Sequence, residues 1–141
     1  MSDERATVEI DRSKSDIYDS LTKDESSFMF GVNKVDVFIL AAAIGFHEKQ
    51  FKELPKAKKD RQDLFVTTLT LKGDNRIWIL KSIAIASSTS IEVLKNMGDV
   101  ISVCEKYANY GIDYLDSLHK NSDNETDDIA IRMMDVLDEG D

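Results

Sequence analysis

The chain has 141 residues with a formal net charge of −9, and 42% of its residues are hydrophobic. This length suits one domain with a single core, and the apolar runs are too short and too often interrupted to span a bilayer. Residues 1–5 are polar, which predicts that the protein carries no secretory signal and is cytoplasmic.

The acidic charge is concentrated at the C-terminus. Residues 121–141 contain eight acidic side chains and one basic side chain, Arg132, a net charge of −7. The rest of the chain is therefore almost balanced. We predict a helical domain over residues 1–120 and an acidic, flexible tail over residues 121–141 that contains a short amphipathic helix. The low pI argues against sequence-independent nucleic-acid binding, because that affinity comes from neutralising phosphates.

The first third of the chain predicts a short extended segment followed by two helices. Residues 7–11 alternate between apolar and polar side chains, as in a short strand or an extended lead-in. Ser13 is a suitable N-cap for a helix that ends near Leu21. After a break around Gly31, residues 34–46 are apolar at nearly every angle, so we expect a helix buried on most sides.

Residues 47–63 are polar and predict an exposed loop. It contains six bases, which are candidate DNA contacts because lysine and arginine bind phosphates: Lys49, Lys52, Lys56, Lys58, Lys59 and Arg61. The alternative is an ordinary solvated loop. Phe51 is the loop's only aromatic side chain that could stack on a base.

The segments that follow predict further helices. Residues 64–71 fit either a strand or a helix, whereas residues 75–88 predict a second strongly apolar, buried helix. A short helix is expected over residues 91–97. From Asp99 to Leu118 apolar residues recur at three and four positions, as on one helix face, with Glu105, Asn109 and Asp113 mainly opposite. Gly111 would allow a neighbouring helix to approach closely.

Together these elements predict a mainly α protein. We expect a compact single-domain bundle of five or six helices around two buried helices, 34–46 and 75–88. Whether short strands form near residues 7–11 and 64–71 stays open.

The acidic tail carries an amphipathic stripe after a polar linker. The stripe consists of four apolar residues that are candidate partner contacts: Ile129, Met133, Val136 and Leu137. It could fold back onto the core of the same chain or lie in the groove of a partner protein.

No catalytic, metal-binding or cofactor-binding motif is present. Cys104 is the only cysteine and fits core packing, and His47 and His119 are too far apart in sequence to form a metal motif. The carboxylate pairs Asp16/Asp19 and Asp113/Asp116 have the spacing of any exposed helix face. We therefore predict that the protein is not an enzyme and binds no cofactor; an enzyme built from scattered carboxylates is the alternative.

Three stretches also resemble a known family. They are residues 8–12 followed by residues 17–21, then residues 34–46, and residues 105–115. The run Asp-Val-Phe-x-Leu-Ala-Ala-Ala-Ile-Gly-Phe at residues 36–46 is the strongest part of the resemblance. The three stretches resemble the family called dnd system-associated protein 4, which accompanies bacterial and archaeal DNA phosphorothioation systems, in which sulfur replaces a backbone oxygen. The resemblance covers residues 7–118 and leaves the acidic tail outside.

The resemblance implies a cytoplasmic accessory protein of a restriction-linked or antiviral defence system, and it assigns no catalytic residue. The expected partners are proteins of the same system, with DNA and a second copy of the chain as further candidates, and no membrane. The predicted function is therefore non-enzymatic and depends on protein–protein contacts. The alternative is a DNA-binding module that uses residues 49–61.

Overall fold

The computed structural model of the protein describes residues 7–66 and 75–121. Within these ranges it contains four α-helices and a two-stranded sheet. The helices are α1 (Ser15–Lys23), α2 (Lys34–Glu48), α3 (Arg76–Ser88) and α4 (Met97–Lys120). The strands are β1 (Thr7–Asp11) and β2 (Arg61–Val66).

The mainly helical prediction is confirmed, although five or six helices was an overcount for the described ranges. Ile91–Lys95, where we expected a short helix, forms a 3-10 helix capped by Ser90. Two further 3-10 helices cover Arg12–Lys14 and Lys58–Asp60. The helix expected in the acidic tail lies outside the described residues.

Helix α2 forms the centre of the core, as its composition predicts. The Asn33 side chain accepts a hydrogen bond from the Val35 N–H at 2.9 Å, and Asp36 lies in the first turn, where a negative charge stabilises the helix dipole. Gly31 in the preceding break adopts a φ of 84°, which glycine adopts at little cost. Eight of the fifteen helix residues are buried, among them Phe38 and Ile44.

Helices α2 and α4 cross antiparallel and touch through their backbones. A Cβ added to Gly111 would overlap the Ala41 carbonyl group, and one added to Gly45 would overlap the Tyr107 carbonyl group. The close approach predicted from Gly111 is therefore present, and Gly45 supplies its counterpart on the other helix.

The sheet joins two segments that are about fifty residues apart in sequence. Strands β1 and β2 pair antiparallel, from Thr7 opposite Val66 to Asp11 opposite Arg61, with a shift of register between Val8 and Glu9. Residues 7–11, which the sequence left open between a strand and an extended lead-in, form a strand. The second strand begins at Arg61, inside the predicted loop, and residues 67–71 lie outside the described part of the chain.

Helix α3 differs from its prediction, because it is not buried on most sides. Only Leu80, Ile83 and Ala84 are buried, which is one helix face. Trp78 and Ile79 are 56% and 44% exposed. The reason is position: α3 packs with one face on α2 and α4, and its opposite face points outward. None of the helices in residues 7–66 and 75–121 has the length and hydropathy that crossing a membrane requires.

Candidate protein-contact surfaces

The outward side of α3 is an uncharged, largely apolar surface. It consists of Trp78, Ile79, Ser82 and Ala86, here called the α3 outer face, which are all exposed. At about 100° per residue these four positions span about 100° of the helix circumference. The Ser82 hydroxyl donates to the Trp78 carbonyl oxygen at 2.7 Å and so adds little polarity. Surface helices ordinarily present charged residues on this side.

The rim of the α3 outer face is positive. Helix α3 contains the bases Arg76 and Lys81 and no acidic residue. Arg76 pairs with Asp36 at 2.8 Å. The Lys81 ammonium lies 4.5 Å from the centre of the Trp78 ring, and it has no ion pair within the described ranges. A cation over an indole ring is a favourable contact, and it leaves this charge available to an incoming acid.

Within the described residues, the other large exposed apolar side chains are Phe30, Phe51 and Ile91, in three different segments of the chain. Phe51 packs edge-on against Tyr107, with 6.2 Å between ring centres. Single exposed apolar residues are ordinary on protein surfaces. The α3 outer face differs because its residues are contiguous, and contiguous apolar patches mark contact sites.

The six cations of residues 49–61, here called the basic segment, fall into two groups in the structure. Three of its six cations contact acids of the protein: Lys52 pairs with Asp113 at 2.7 Å, and Lys58 and Arg61 lie 3.6 and 3.4 Å from the Glu9 carboxylate. The other three are exposed, and their ammonium groups form no ion pair within residues 7–66 and 75–121: Lys49, Lys56 and Lys59.

Sequence reasoning missed Arg12, which lies beside the basic segment. Its guanidinium donates to the Lys59 carbonyl oxygen at 2.9 Å and to the Arg61 carbonyl oxygen at 2.8 Å. The pairing of β1 with β2 brings it there, since Arg12 follows β1 and Arg61 begins β2. The sequence shows only that Arg12 directly follows the first strand. This does not identify the strand with which the first strand pairs, and so it could not place Arg12 beside the basic segment.

Asp113 is held between two lysines. Its Oδ2 accepts hydrogen bonds from Lys14 at 2.9 Å and from Lys52 at 2.7 Å. Partial burial raises the pKa of the Asp113 carboxyl, but the two lysine hydrogen bonds and charges outweigh burial, so the pKa lies below its ordinary value. Asn109, one turn earlier, is buried and donates to the Lys52 and Glu53 carbonyl oxygens.

Glu105 is buried, although its position suggested the polar side of α4. Its Oε2 accepts the Glu9 N–H at 2.7 Å and so joins β1 to α4. Glu105 also lines a shallow cleft of about 250 Å³, with Glu53, Leu54, Arg61, Ser102 and Lys106. The placement of Glu105 and Asn109 opposite the core was wrong because residues 50–55 and β1 cover that side of the helix.

Three of the four carboxylates considered for catalysis, Asp19, Asp113 and Asp116, have structural partners. Asp19 pairs with Lys34 at 2.5 Å, and Asp116 pairs with Lys120 at 3.0 Å. Asp113 is held by its two lysines, as above. These three carboxylates therefore form ion pairs on helix surfaces.

Cys104 and His119 both have structural contacts. Cys104 is fully buried and its thiol donates to the Leu80 carbonyl oxygen at 3.4 Å, which confirms core packing. Burial raises the pKa of that thiol well above its ordinary range. His119 Nε2, in the last turn of α4, lies 3.5 Å from Asp24 Oδ2. Across residues 7–66 and 75–121 no three His, Cys, Asp or Glu side chains form a metal-binding group.

The tail stripe of Ile129, Met133, Val136 and Leu137 lies outside the described residues, so its role as a partner contact stays a prediction.

Comparison with known proteins identifies the family. The family model described as DNA sulphur modification system-associated protein 4 matches residues 7–139. Searches of curated proteins and of solved structures find no match. The match extends beyond residue 118, so the expectation that the acidic tail lies outside the family was wrong. The chain therefore belongs to the DNA sulphur modification system-associated protein 4 family.

Proposed function

We propose that this protein is a non-enzymatic accessory component of a DNA sulphur modification system, and that it acts by binding other proteins of that system through the α3 outer face. Family membership supplies the association with such a system. We infer the mode of action, which is binding of other proteins, from the α3 outer face. In our proposal the protein works in the cytoplasm, in a restriction-linked or antiviral setting.

The observation that carries this proposal is the exposure of Trp78 and Ile79 on a helix side without charge. Tryptophan is the residue most enriched among interface positions that dominate binding energy. Covering these side chains removes apolar surface from water, and no charged group on the face has to be desolvated.

The test is capture of proteins of the same system by tagged wild-type protein and by two aspartate variants. Ile79→Asp places a charge on the α3 outer face and should weaken capture by about thirtyfold or more, the loss typical of a central contact. Ile91→Asp is the matched control, because Ile91 is 68% exposed but lies outside this face. Equal capture by both variants would refute the proposal.

A second candidate function is DNA binding by the basic segment. The observation that favours it is the cluster of exposed cations at the end of the sheet, where Arg12 joins Lys56, Lys58 and Lys59. Cations clustered in this way can contact neighbouring phosphates.

DNA binding of this kind depends strongly on salt. Changing Lys56, Lys58 and Lys59 to Gln should reduce affinity for plain and phosphorothioated duplexes alike, and should lower the salt slope by about 0.9 for each lost phosphate contact. Changing Lys23, Lys95 and Lys120 to Gln is the control for net charge, since these lysines are exposed elsewhere. If the wild type binds neither duplex at low salt, this function is excluded.

A further inference from the structure

We infer that the basic segment binds single-stranded DNA, and that the Phe51 ring is the platform on which one nucleobase stacks. The inference rests on the second candidate function, DNA binding by the basic segment, and names the form of DNA and the side chain that selects it. Proteins that bind single strands combine cations along the path of the backbone with aromatic rings on which bases stack.

Phe51 is exposed although the backbone around it is held in place. Its side chain is 56% exposed. Before it, the Gln50 N–H donates to the Gly45 carbonyl oxygen at 3.0 Å. After it, the Lys52 N–H donates to the Lys106 carbonyl oxygen at 3.1 Å. These bonds join the stretch to the end of α2 and to α4, so the ring has a defined place on the surface.

The neighbours of Phe51 also orient its ring. Phe51 meets Tyr107 edge to face, with 6.2 Å between the ring centres and 89° between the ring planes. Tyr107 is itself positioned by an edge-to-face contact with Phe46 and by a 3.0 Å hydrogen bond between its hydroxyl and that of Ser87. A T-shaped contact occupies one edge or one face of a ring. Tyr107 therefore leaves at least one face of the Phe51 ring uncovered, and a nucleobase needs one face.

Cations without ion pairs lie on both sides of Phe51 along the chain. Lys49 comes two residues before it, and Lys56 and Lys59 come after it. All three are exposed, and none forms an ion pair within residues 7–66 and 75–121. A single exposed phenylalanine is ordinary on a protein surface. Phe51 differs because it stands, with a fixed backbone, among cations that remain available to phosphates.

These cations are close enough to Phe51 to contact the same strand. Five residues of chain lead from Phe51 to Lys56, so the two Cα atoms are at most about 18 Å apart, a distance that a few nucleotides span. Two acids lie in the same stretch of chain. Glu53 lies 3.7 Å from the Lys106 ammonium, and Asp60 is outnumbered by the cations without ion pairs.

The ring favours a single strand over a duplex. Inside a duplex each base is stacked between its neighbours, and it must be unstacked before a side chain can cover its face. The bases of a single strand can turn outward and stack on an aromatic ring. Phosphates are present in both forms. The lysines should therefore contact either form, whereas Phe51 should contribute to binding of the single strand alone.

The test measures fluorescence anisotropy of a labelled oligothymidylate of about 12 nucleotides, and of a duplex of equal length, with the full-length protein at low salt. Phe51→Leu keeps an apolar side chain and removes the aromatic ring. We expect this variant to bind the single strand about fivefold more weakly or worse, the loss typical of one base stack, and to bind the duplex as the wild type does.

Phe30→Leu is the matched control. Phe30 is 52% exposed and precedes α2, whereas Phe51 follows α2, a helix of 15 residues that is about 22 Å long. This variant should bind both probes as the wild type does. Phe51→Trp keeps an aromatic face and should retain binding of the single strand.

Three results would overturn the inference. The first is a wild type that binds no single strand at low salt, and the second is a Phe51→Leu variant that binds it as tightly as the wild type. The third is an equal loss on the duplex, which would mean that Phe51 only supports the basic segment. The lysine-to-glutamine variant tests duplex binding separately, so failure of base stacking is distinguishable from failure of the second candidate function.

Discussion

Gly45 and Gly111 show how two residues set the distance between two helices. At each position the missing side chain leaves room for a carbonyl group of the opposite helix. The helix itself gains nothing from either glycine, because glycine costs about 1 kcal/mol relative to alanine in a helix interior. The contact between backbones therefore explains why these positions are glycine.

We expect Gly111→Ala to lower the free energy of unfolding by at least about 2 kcal/mol, since overlap with the Ala41 carbonyl outweighs the gain in helix propensity. Urea denaturation measures this loss. Gly31→Asn is the control: Gly31 has open space around it and a positive φ that asparagine tolerates. A Gly111→Ala variant as stable as the wild type would contradict the structure.

Asp113 predicts a specific dependence of stability on pH. Because its pKa in the folded protein lies below the ordinary value of 3.8, the charged form stabilises the fold above that pH. This contribution is lost as the pH falls below 3.8 through the lower folded pKa. Asp113→Asn should therefore destabilise the protein near neutral pH, and the difference from wild type should shrink in acid.

Thermal or urea unfolding at a series of pH values measures that difference. Asp60→Asn, which removes an exposed carboxylate from a 3-10 helix, should give a smaller difference at neutral pH. A difference between wild type and Asp113→Asn that grows toward acid would show that the lysine contacts do not stabilise the charged form.

At the scale of elements, α3 shows why apolar composition does not determine burial. Residues 75–88 contain six large apolar side chains and residues 34–46 contain seven, so composition predicts similar burial for the two helices. Only the packing of α2 and α4 decides which side of α3 faces inward. Several contiguous apolar side chains that point outward then indicate a contact surface instead of core.

Ile79 and Ile83 permit a matched comparison on that helix. Ile83 is 6% exposed and Ile79 is 44% exposed. Ile83→Ala should cost about 3 kcal/mol of unfolding free energy, as for other buried isoleucines, whereas Ile79→Ala should cost less than about 1 kcal/mol. Denaturant titration of the two variants checks this. Similar losses in both would mean that Ile79 is interior, as the sequence first suggested.

At the scale of the whole molecule, the N-terminal strand is joined to the C-terminal helix through a buried carboxylate. The bond from the Glu9 N–H to Glu105 spans 96 residues of sequence. Glu9 in turn contacts Arg61 at the start of β2. Both strands and α4 thus share one set of polar contacts, which favours cooperative unfolding.

Glu105→Ala should remove the acceptor for the buried Glu9 N–H and cost about 2–3 kcal/mol of unfolding free energy, whereas Glu105→Gln retains an oxygen acceptor and should cost less. Amide hydrogen exchange at Glu9 is the most direct measurement, and it should accelerate most in the alanine variant. Unchanged exchange at Glu9 in that variant would show that the bond is not formed.

The sequence predicted local features better than long-range ones. Helices α2 and α4 were predictable because their signals are local: residues 34–46 are almost continuously apolar, and apolar residues recur at three and four positions along α4. The pairing of β1 with β2 was not, since its two segments are about fifty residues apart. The burial of Glu105 and Asn109 depends on which loop covers α4, and the α3 outer face depends on how three helices pack. Neither is encoded in a local pattern.

The glycine crossing also restricts how this protein can change shape. Sliding α2 along α4 by one helical turn would place the side chain of Tyr107 or Leu115, which share a helix face with Gly111, against the carbonyl group now opposite Gly111. The two helices therefore have a single register and form a rigid frame. Movements that accompany binding must then come from segments outside this pair, such as α3, while α2 and α4 keep their arrangement.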